Sequence, residues 1–290
     1  MLVDAIRAEG FRLSKNRTAV FWSTLFVPIV GVVLGALMSF VVRGGETRLL
    51  GDAKAPEELV EMMSRAPLDL GEIIVSAAGS LANPLVLLFV LIGAATVYAG
   101  DYRWETWRLI SARNSRPNLI LAKLTVVGSL ALAAMAFMLV GDAIDTLIKA
   151  IVFERAVTFT MGSDQVGQFF ALAGLSWLRI LQFTMISLLA AVVTRSLLAA
   201  LFVPLVVGLT QFFSPQLLGQ IGMMPDAWLA ILLNPGAGAD AFEAMIKGGP
   251  AAAMLPAGLT PKAGLSLALW TALPLAGALV WFQRQDLARE

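Results

Sequence analysis

Residues Gln165–Thr194 read QVGQFFALAGLSWLRILQFTMISLLAAVVT, thirty residues that carry a single charge, Arg179. An uncharged run of about 18 or more apolar residues is long enough to cross a bilayer as a helix, because the hydrocarbon core is about 30 Å thick and a helix rises about 1.5 Å per residue. Split at the arginine, the stretch would leave two pieces too short to cross, so it reads as one spanning helix that carries a charge. Further runs lie on either side, at 19–42, 73–100, 124–141, 196–213 and 263–282. The expected fold is an all-α polytopic membrane protein, a single domain over 1–290 with six transmembrane helices. The first run is not a signal peptide, since it exceeds the roughly 7 to 15 residues of such an apolar region and ends at Val41-Val42-Arg43 rather than at small residues.

Composition agrees. The chain has 290 residues, 58% hydrophobic and 14% charged, against a charged share of about 25% in soluble proteins. It contains no His and no Cys. That excludes His or Cys metal sites, Ser-His-Asp and Cys-His triads, haem ligation, redox dithiols and disulfides, and no metal ligand set is expected. The net charge of +1 gives no reason to expect nucleic acid.

The distribution of charge is more informative. With the N-terminus inside, inner segments hold Arg7, Arg12, Lys15 and Arg17, then Arg103, Arg108, Arg113, Arg116 and Lys123, then Arg195, Arg284 and Arg289. Longer outer segments hold fewer basic residues and most of the acids, so the two faces carry about +6 and −6. Both termini are expected to be cytoplasmic.

Outside the spans, residues 1–18 suit a helix on which Leu2, Val3, Ile6 and Leu13 share an arc of about 100° while Arg7, Arg12 and Lys15 point elsewhere. The segment reads as an amphipathic interfacial helix or as a solvated basic tail. A short external helix is expected near Pro56–Met63. The outer stretch 214–262 is apolar over Leu217–Leu233 but broken by Pro225, Asn234-Pro235-Gly236, Pro250, Pro256 and Pro261. It reads as a re-entrant or interfacial helical segment, with a seventh span as the alternative.

The loop 101–123 carries the richest chemistry. As a helix it would place Trp104, Trp107 and Ile110 on one side and Asp101, Glu105 and Arg108 on another, and end at Arg116-Pro117. Such a segment suits docking to a cytoplasmic partner, or an ordinary interfacial loop with tryptophans in the headgroup belt.

This segment resembles the cytoplasmic loop of permease subunits of ABC transporters of the type-2 exporter class. The matching positions are Asp101, Thr106, Trp107, Arg108, Arg113, Arg116, Ala122 and Lys123, with Glu105 where the family usually has glycine and Pro117 after, not before, the basic residue. Glu9-Gly10-Phe11-Arg12-Leu13-Ser14-Lys15 is similar to the family's basic N-terminal helix, and Trp281-Phe282-Gln283-Arg284-Gln285-Asp286-Leu287 to its C-terminal ending. The resemblance implies a multi-pass protein of a prokaryotic cytoplasmic (inner) membrane and a homodimeric permease paired with separate ATPase subunits. In it, a coupling helix formed around Asp101, Arg103, Trp104, Glu105, Trp107, Arg108, Arg113 and Arg116 would meet the motor, with Thr194-Arg195-Ser196 as a smaller contact. ATP and Mg would sit on the partner, with no cofactor on this chain. No lysine here precedes Ser or Thr, so a Gly-Lys-Ser/Thr phosphate loop is absent from the sequence.

Within the membrane, Gln168, Arg179 and Gln182 fall within about 60° of one another on the fourth helix. An arginine at the bilayer centre costs about 2.5 to 3.5 kcal/mol on insertion scales, so this strip is expected to face a cavity, a second protomer or an anionic substrate group, unless Arg179 snorkels to an interface. Asn83-Pro84 and Pro204 read as kinks, and Asp142 and Asp145 as the solvated outer end of the third span. The leading expectation is a non-enzymatic permease subunit of an ATP-driven exporter of a hydrophobic or amphipathic compound: a drug, peptide or lipid. The alternatives are a secondary transporter or channel, a membrane-embedded enzyme, or an assembly subunit of a membrane complex.

Overall fold

The computed structural model of the chain describes residues 2–49, 67–104, 106–107 and 114–285, with backbone alone at 45–49 and 103. Among these residues, six helices are long and apolar enough to cross a membrane: Arg17–Gly44, Pro84–Tyr102, Arg116–Val152, Ser163–Thr194, Leu197–Gln220 and Leu259–Arg284. The protein is an all-α polytopic membrane protein. The external helix expected near 56–63 lies outside the described residues.

Helix α1 (Leu2–Lys15) ends where Asn16 takes over as cap of the next helix, its side chain accepting from the Ala19 amide at 3.2 Å. The first span runs as α2 (Arg17–Val20), a π-helical turn at Phe21–Leu25, and α3 (Phe26–Leu49). α1 packs on the third span and buries Ala5 and Glu9, leaving Val3 and Phe11 exposed. Of the expected apolar arc, Ile6 and Leu13 are half-buried and Leu13 packs on the core, but the buried face is shifted to include Glu9, because Glu9 and Arg12 find ionic partners in the protein.

The run 73–100 is not one helix. α4 (Leu70–Gly79) and α5 (Pro84–Arg103) are separate, and Asn83 caps α5 by accepting from the Leu85 and Val86 amides at 3.1 and 3.0 Å, with Pro84 in the first turn. Asn-Pro is here a helix start and not a kink, since proline lacks an N–H where a first-turn residue needs none. The freed carbonyls of Ala78 and Gly79 accept from the Ser176 hydroxyl of a neighbouring helix, at 2.8 and 3.2 Å. That makes a break among spanning helices tolerable.

The third run is likewise longer than 124–141. α6 (Arg116–Val152) has 37 residues, begins at the Arg116-Pro117 pair expected to end a helix, and takes Lys123, Asp142 and Asp145 into its body. Hydropathy ends a span at a charge, but a charge with a partner does not end a helix: Lys123 lies 2.6 Å from Asp101, and Lys149 pairs with Asp145 at 2.6 Å one turn away. Asp142 and Asp145 are accordingly half-buried, not a solvated helix end.

α7 (Ser163–Thr194) is the central post. It packs on α4, α5, α6, α8 (Leu197–Gln220), α10 (Pro235–Lys247) and α12 (Leu259–Arg284). In its most apolar window 61% of residues are buried, against 11% in the first span and 17% in α8, which places those two on the periphery. Between α8 and α12 lie only short helices, α9 (Trp228–Leu233), α10 and α11 (Gly249–Ala253), so no seventh long apolar helix occurs among the described residues. Asn234 ends α9 and caps α10, while Ser266 and Trp270 of α12 donate to the α9 carbonyls of Ile231 and Leu232, each at 2.7 Å. At the end remote from α1, a two-residue parallel pair, β1 (Leu68–Asp69) with β2 (Val157–Thr158), joins the segments before α4 and after α6.

Candidate functional site

Two polar clusters stand out. The first gathers at the end of the bundle where α1, α5, α6, α7 and α12 meet. Asp101, on the last turn of α5, is fully buried and accepts from Arg12 of α1 at 2.6 Å, from the Thr106 hydroxyl at 2.5 Å and from Lys123 of α6 at 2.6 Å. Lys123, equally buried, also donates to the Val97 carbonyl at 2.7 Å and lies 3.4 Å from Glu9, which Arg12 holds at 3.1 Å. Two acids and two bases thus form a neutral knot. Burial works against the charge on Arg12, but its hydrogen bond to Asp101 and the nearby Asp101 and Glu9 carboxylates raise its pKa on balance.

Aromatic and main-chain contacts extend the knot to the last span. The Trp107 ring lies 5.2 Å below the Lys123 ammonium, 4.5 Å from Phe282 and 5.4 Å from Tyr102. Tyr102 donates to Gln285 at 3.0 Å, and Gln285 in turn donates to the Val192 carbonyl of α7 at 2.5 Å. One nitrogen of Arg116 donates to the carbonyls of Phe282, Gln283 and Gln285 at 3.0, 2.8 and 2.8 Å, covering the open C-terminal end of α12.

The expected coupling residues are therefore arranged differently from a simple helix face. α5 ends at Arg103 with Trp104 as its C-cap, so helical spacing no longer relates Trp104 to Trp107. Trp104 is 69% exposed and Trp107 only 3%. Asp101, Trp107 and Arg116 point into the bundle; Glu105, Arg108 and Arg113 lie outside the described residues, as does the Arg103 side chain. Glu9, Arg12, Thr106, Lys123 and Gln285 belong to the same assembly. Among them Lys123 carried a local signal, a charge directly before the apolar run 124–141. The nearby Arg195 adopts a left-handed backbone (φ 57°) that ends α7, and Ser196 caps α8 through the Ala199 amide at 3.4 Å.

The second cluster lies midway along α7. Arg179 donates to Gln182 at 2.8 Å and to Gln211 of α8 at 3.5 Å, and its guanidinium lies 5.3 Å from the Phe183 ring. Gln182 is anchored by donating to the Leu267 carbonyl at 2.8 Å. Arg179, Phe183 and Gln211 border a cavity of about 660 Å³ shared with Asn234, Gly236 and Asp240, and Gln182 holds Arg179 from behind that lining. Asp240 senses the charge of Arg179 but makes no ion pair with it within 4.0 Å. Burial raises the Asp240 carboxyl above the usual carboxylate range, the Arg179 charge works to lower it, and Glu243 adds to the rise. Gln168 does not share this site: it lies eleven residues earlier, about 16 Å along the helix, and does not line the cavity. Gln211, Asn234 and Asp240 went unread in the sequence because nothing local ties them to Arg179.

No group of three or more potential metal-binding side chains occurs among the described residues. Comparison with family models, with curated proteins and with solved structures finds no match for this chain.

Proposed function

We propose that the chain is the permease subunit of an ATP-driven exporter of the type-2 ABC class, moving a hydrophobic or amphipathic compound out across a prokaryotic cytoplasmic membrane. ATP and Mg are handled by a separate ATPase subunit, and two permease copies work with two such subunits. The observation that carries this reading is convergence: the three separate segments that resemble the family, at Glu9–Lys15, Asp101–Lys123 and Trp281–Gln285, meet in one bonded cluster through Arg12–Asp101–Lys123, Trp107–Phe282 and Tyr102–Gln285.

A partner pressing on that end would meet Trp104 first. The load would pass through Asp101 to α1 and α6, through Gln285 to α7 and through Arg116 to α12, so that the spans move as near-rigid bodies. α1 lies along the inner membrane surface, both termini are cytoplasmic, and α9 to α11 form the re-entrant or interfacial outer segment. The sparsely buried first span and α8 supply apolar faces for lipid and for the second copy.

Purification of the tagged chain from its host tests the reading. A stoichiometric ATPase that is lost on Trp104→Ala, while the permease still inserts, is the expected result. Isolation without any ATPase, together with compound movement driven by an ion gradient alone, overturns it in favour of a secondary transporter.

A further inference from the structure

The geometry points to the Arg179 cavity as a binding site for the head group of an anionic amphiphile, a long-chain carboxylate or phosphate ester, whose tail leaves along α8. Three observations converge on this assignment.

The first is a cation without a close ion pair. Arg179 is held by two neutral amides, one of them at 3.5 Å, and has no carboxylate within 4.0 Å among the described residues. Guanidinium has five N–H donors, so those two bonds leave donors for a further acceptor. The amides themselves are built in, since Gln182 and Gln211 are 1% and 6% exposed.

The second is the polarity of the opposite wall. The cavity takes in Asn234, Gly236 and Ala237, the first turn of the 13-residue α10. A helix start carries partial positive charge, so this wall adds to the pull of Arg179 on an anion and disfavours a cation. A β-carbon at Gly236 would sit 3.4 Å from the Arg179 Nη2 and 2.9 Å from the Asn234 Oδ1. Glycine there keeps the approach to the guanidinium open.

The third is the mouth. Leu209 and Phe212 line the cavity and are 59% and 70% exposed, on a helix apolar enough to span a membrane. The opening is therefore bordered by side chains that suit acyl chains, and a small hydrophilic anion would have to pass them. Asp240 is the opposing charge in the cavity, and its raised pKa weakens that opposition.

As a binding site the assignment stands apart from the transport reading; naming the amphiphile as cargo rests on it. The test uses the full chain in zwitterionic nanodiscs with a fluorescent long-chain carboxylate, its phosphate-ester and trimethylammonium counterparts, and inorganic phosphate as competitor. Both anionic probes should bind about ten-fold or more tightly than the cationic one. Arg179→Gln should erase that preference, Asp240→Asn should strengthen anion binding, and inorganic phosphate should not displace the probe. Leu209→Trp, at an exposed position that leaves Arg179 intact, should weaken all the amphiphiles by narrowing the mouth. Equal affinity for the two charge types, displacement by inorganic phosphate alone, or indifference to both Arg179→Gln and Leu209→Trp overturns the assignment. So does an opening that a second copy of the chain closes without amphiphile binding. Binding without ATP-dependent movement of the probe keeps the site and breaks the transport reading; ATP-dependent export of other compounds without binding does the reverse.

Discussion

The Asp101 and Arg179 clusters are both polar, both lie among apolar helices, and differ in how they are closed. Around Asp101, two acids and two bases meet at 2.6 to 3.4 Å, with the Thr106 hydroxyl and the Val97 carbonyl as further partners. Around Arg179 the charge meets amides at hydrogen-bond distance, and its acidic neighbour in the site, Asp240, stands off beyond 4.0 Å in the lining of a cavity. A closed network fastens elements together, whereas an open one leaves its electrostatic demand to whatever enters. The first cluster is thus a structural fastening that a partner can load, and the second a receptacle.

This contrast is open to direct attack by mutation. The largest effect is expected from Lys123→Met, which leaves the buried Asp101 and Glu9 sharing Arg12 as their cation and should cost about 3 to 5 kcal/mol, while the double change Lys123→Met with Asp101→Leu should cost distinctly less. Denaturation of the purified variants in detergent reads both, and a double variant as weak as the single one would break the idea of a mutually compensating pair. Next come the tryptophans. Trp107→Ala opens a hole against Phe282 and Tyr102 and should cost about 3 to 5 kcal/mol, whereas Trp104→Ala, at the exposed cap, should change stability by no more than about 0.5 kcal/mol. Similar losses at both positions would show that the loop end is packed and not available for docking.

Arg179→Met should behave unlike Lys123→Met, leaving stability within about 1 kcal/mol of the wild type or raising it, because it removes an intramembrane charge with no ionic partner. A loss as large as that of Lys123→Met would mean that Arg179, too, is a fastening. The smallest expected effect is at an exposed carboxylate. Asp69 is held below the usual carboxylate range, chiefly by the Thr160 hydroxyl, and accepts from the Thr160 and Gly71 amides as well. With its pKa depressed in the folded state, its contribution is complete above the ordinary carboxylate range and disappears as pH falls through the lowered value. The protection of the Gly71 and Thr160 amides, measured relative to their intrinsic exchange rates at each pH, should fall on acidification, and Asp69→Asn should flatten that response.

Much of this architecture is written in local composition, and the rest in distant pairings. Arg179 inside a thirty-residue apolar stretch could be read at once as a charge within a helix, since no shorter helix would cross. Asn83-Pro84 read as a kink and is instead a cap, because the break depends on Ser176, nearly a hundred residues away, donating to the carbonyls of the preceding helix. The same holds at Lys123, where hydropathy marks an end but Asp101 and Val97 make it interior. Trp104 and Trp107 misled for a different reason: helical periodicity relates residues only while the helix lasts, and this one stops at Arg103. Gln211 comes from α8 and Asn234 and Asp240 from the cap and body of α10, and these meet Arg179 only in the folded bundle.

The Asp101 knot also bears on biogenesis. Chains emerge from the N-terminus, so Glu9, Arg12 and Asp101 are already made when Lys123 leaves the ribosome, and the lysine arrives at a pair of waiting carboxylates instead of entering the bilayer alone. The link through Gln285 and Arg116 can close only after the last span is in place. Assembly is thereby ordered in time: the charged centre forms with the third span, and the final helix is latched onto a bundle whose buried lysine already has its carboxylates.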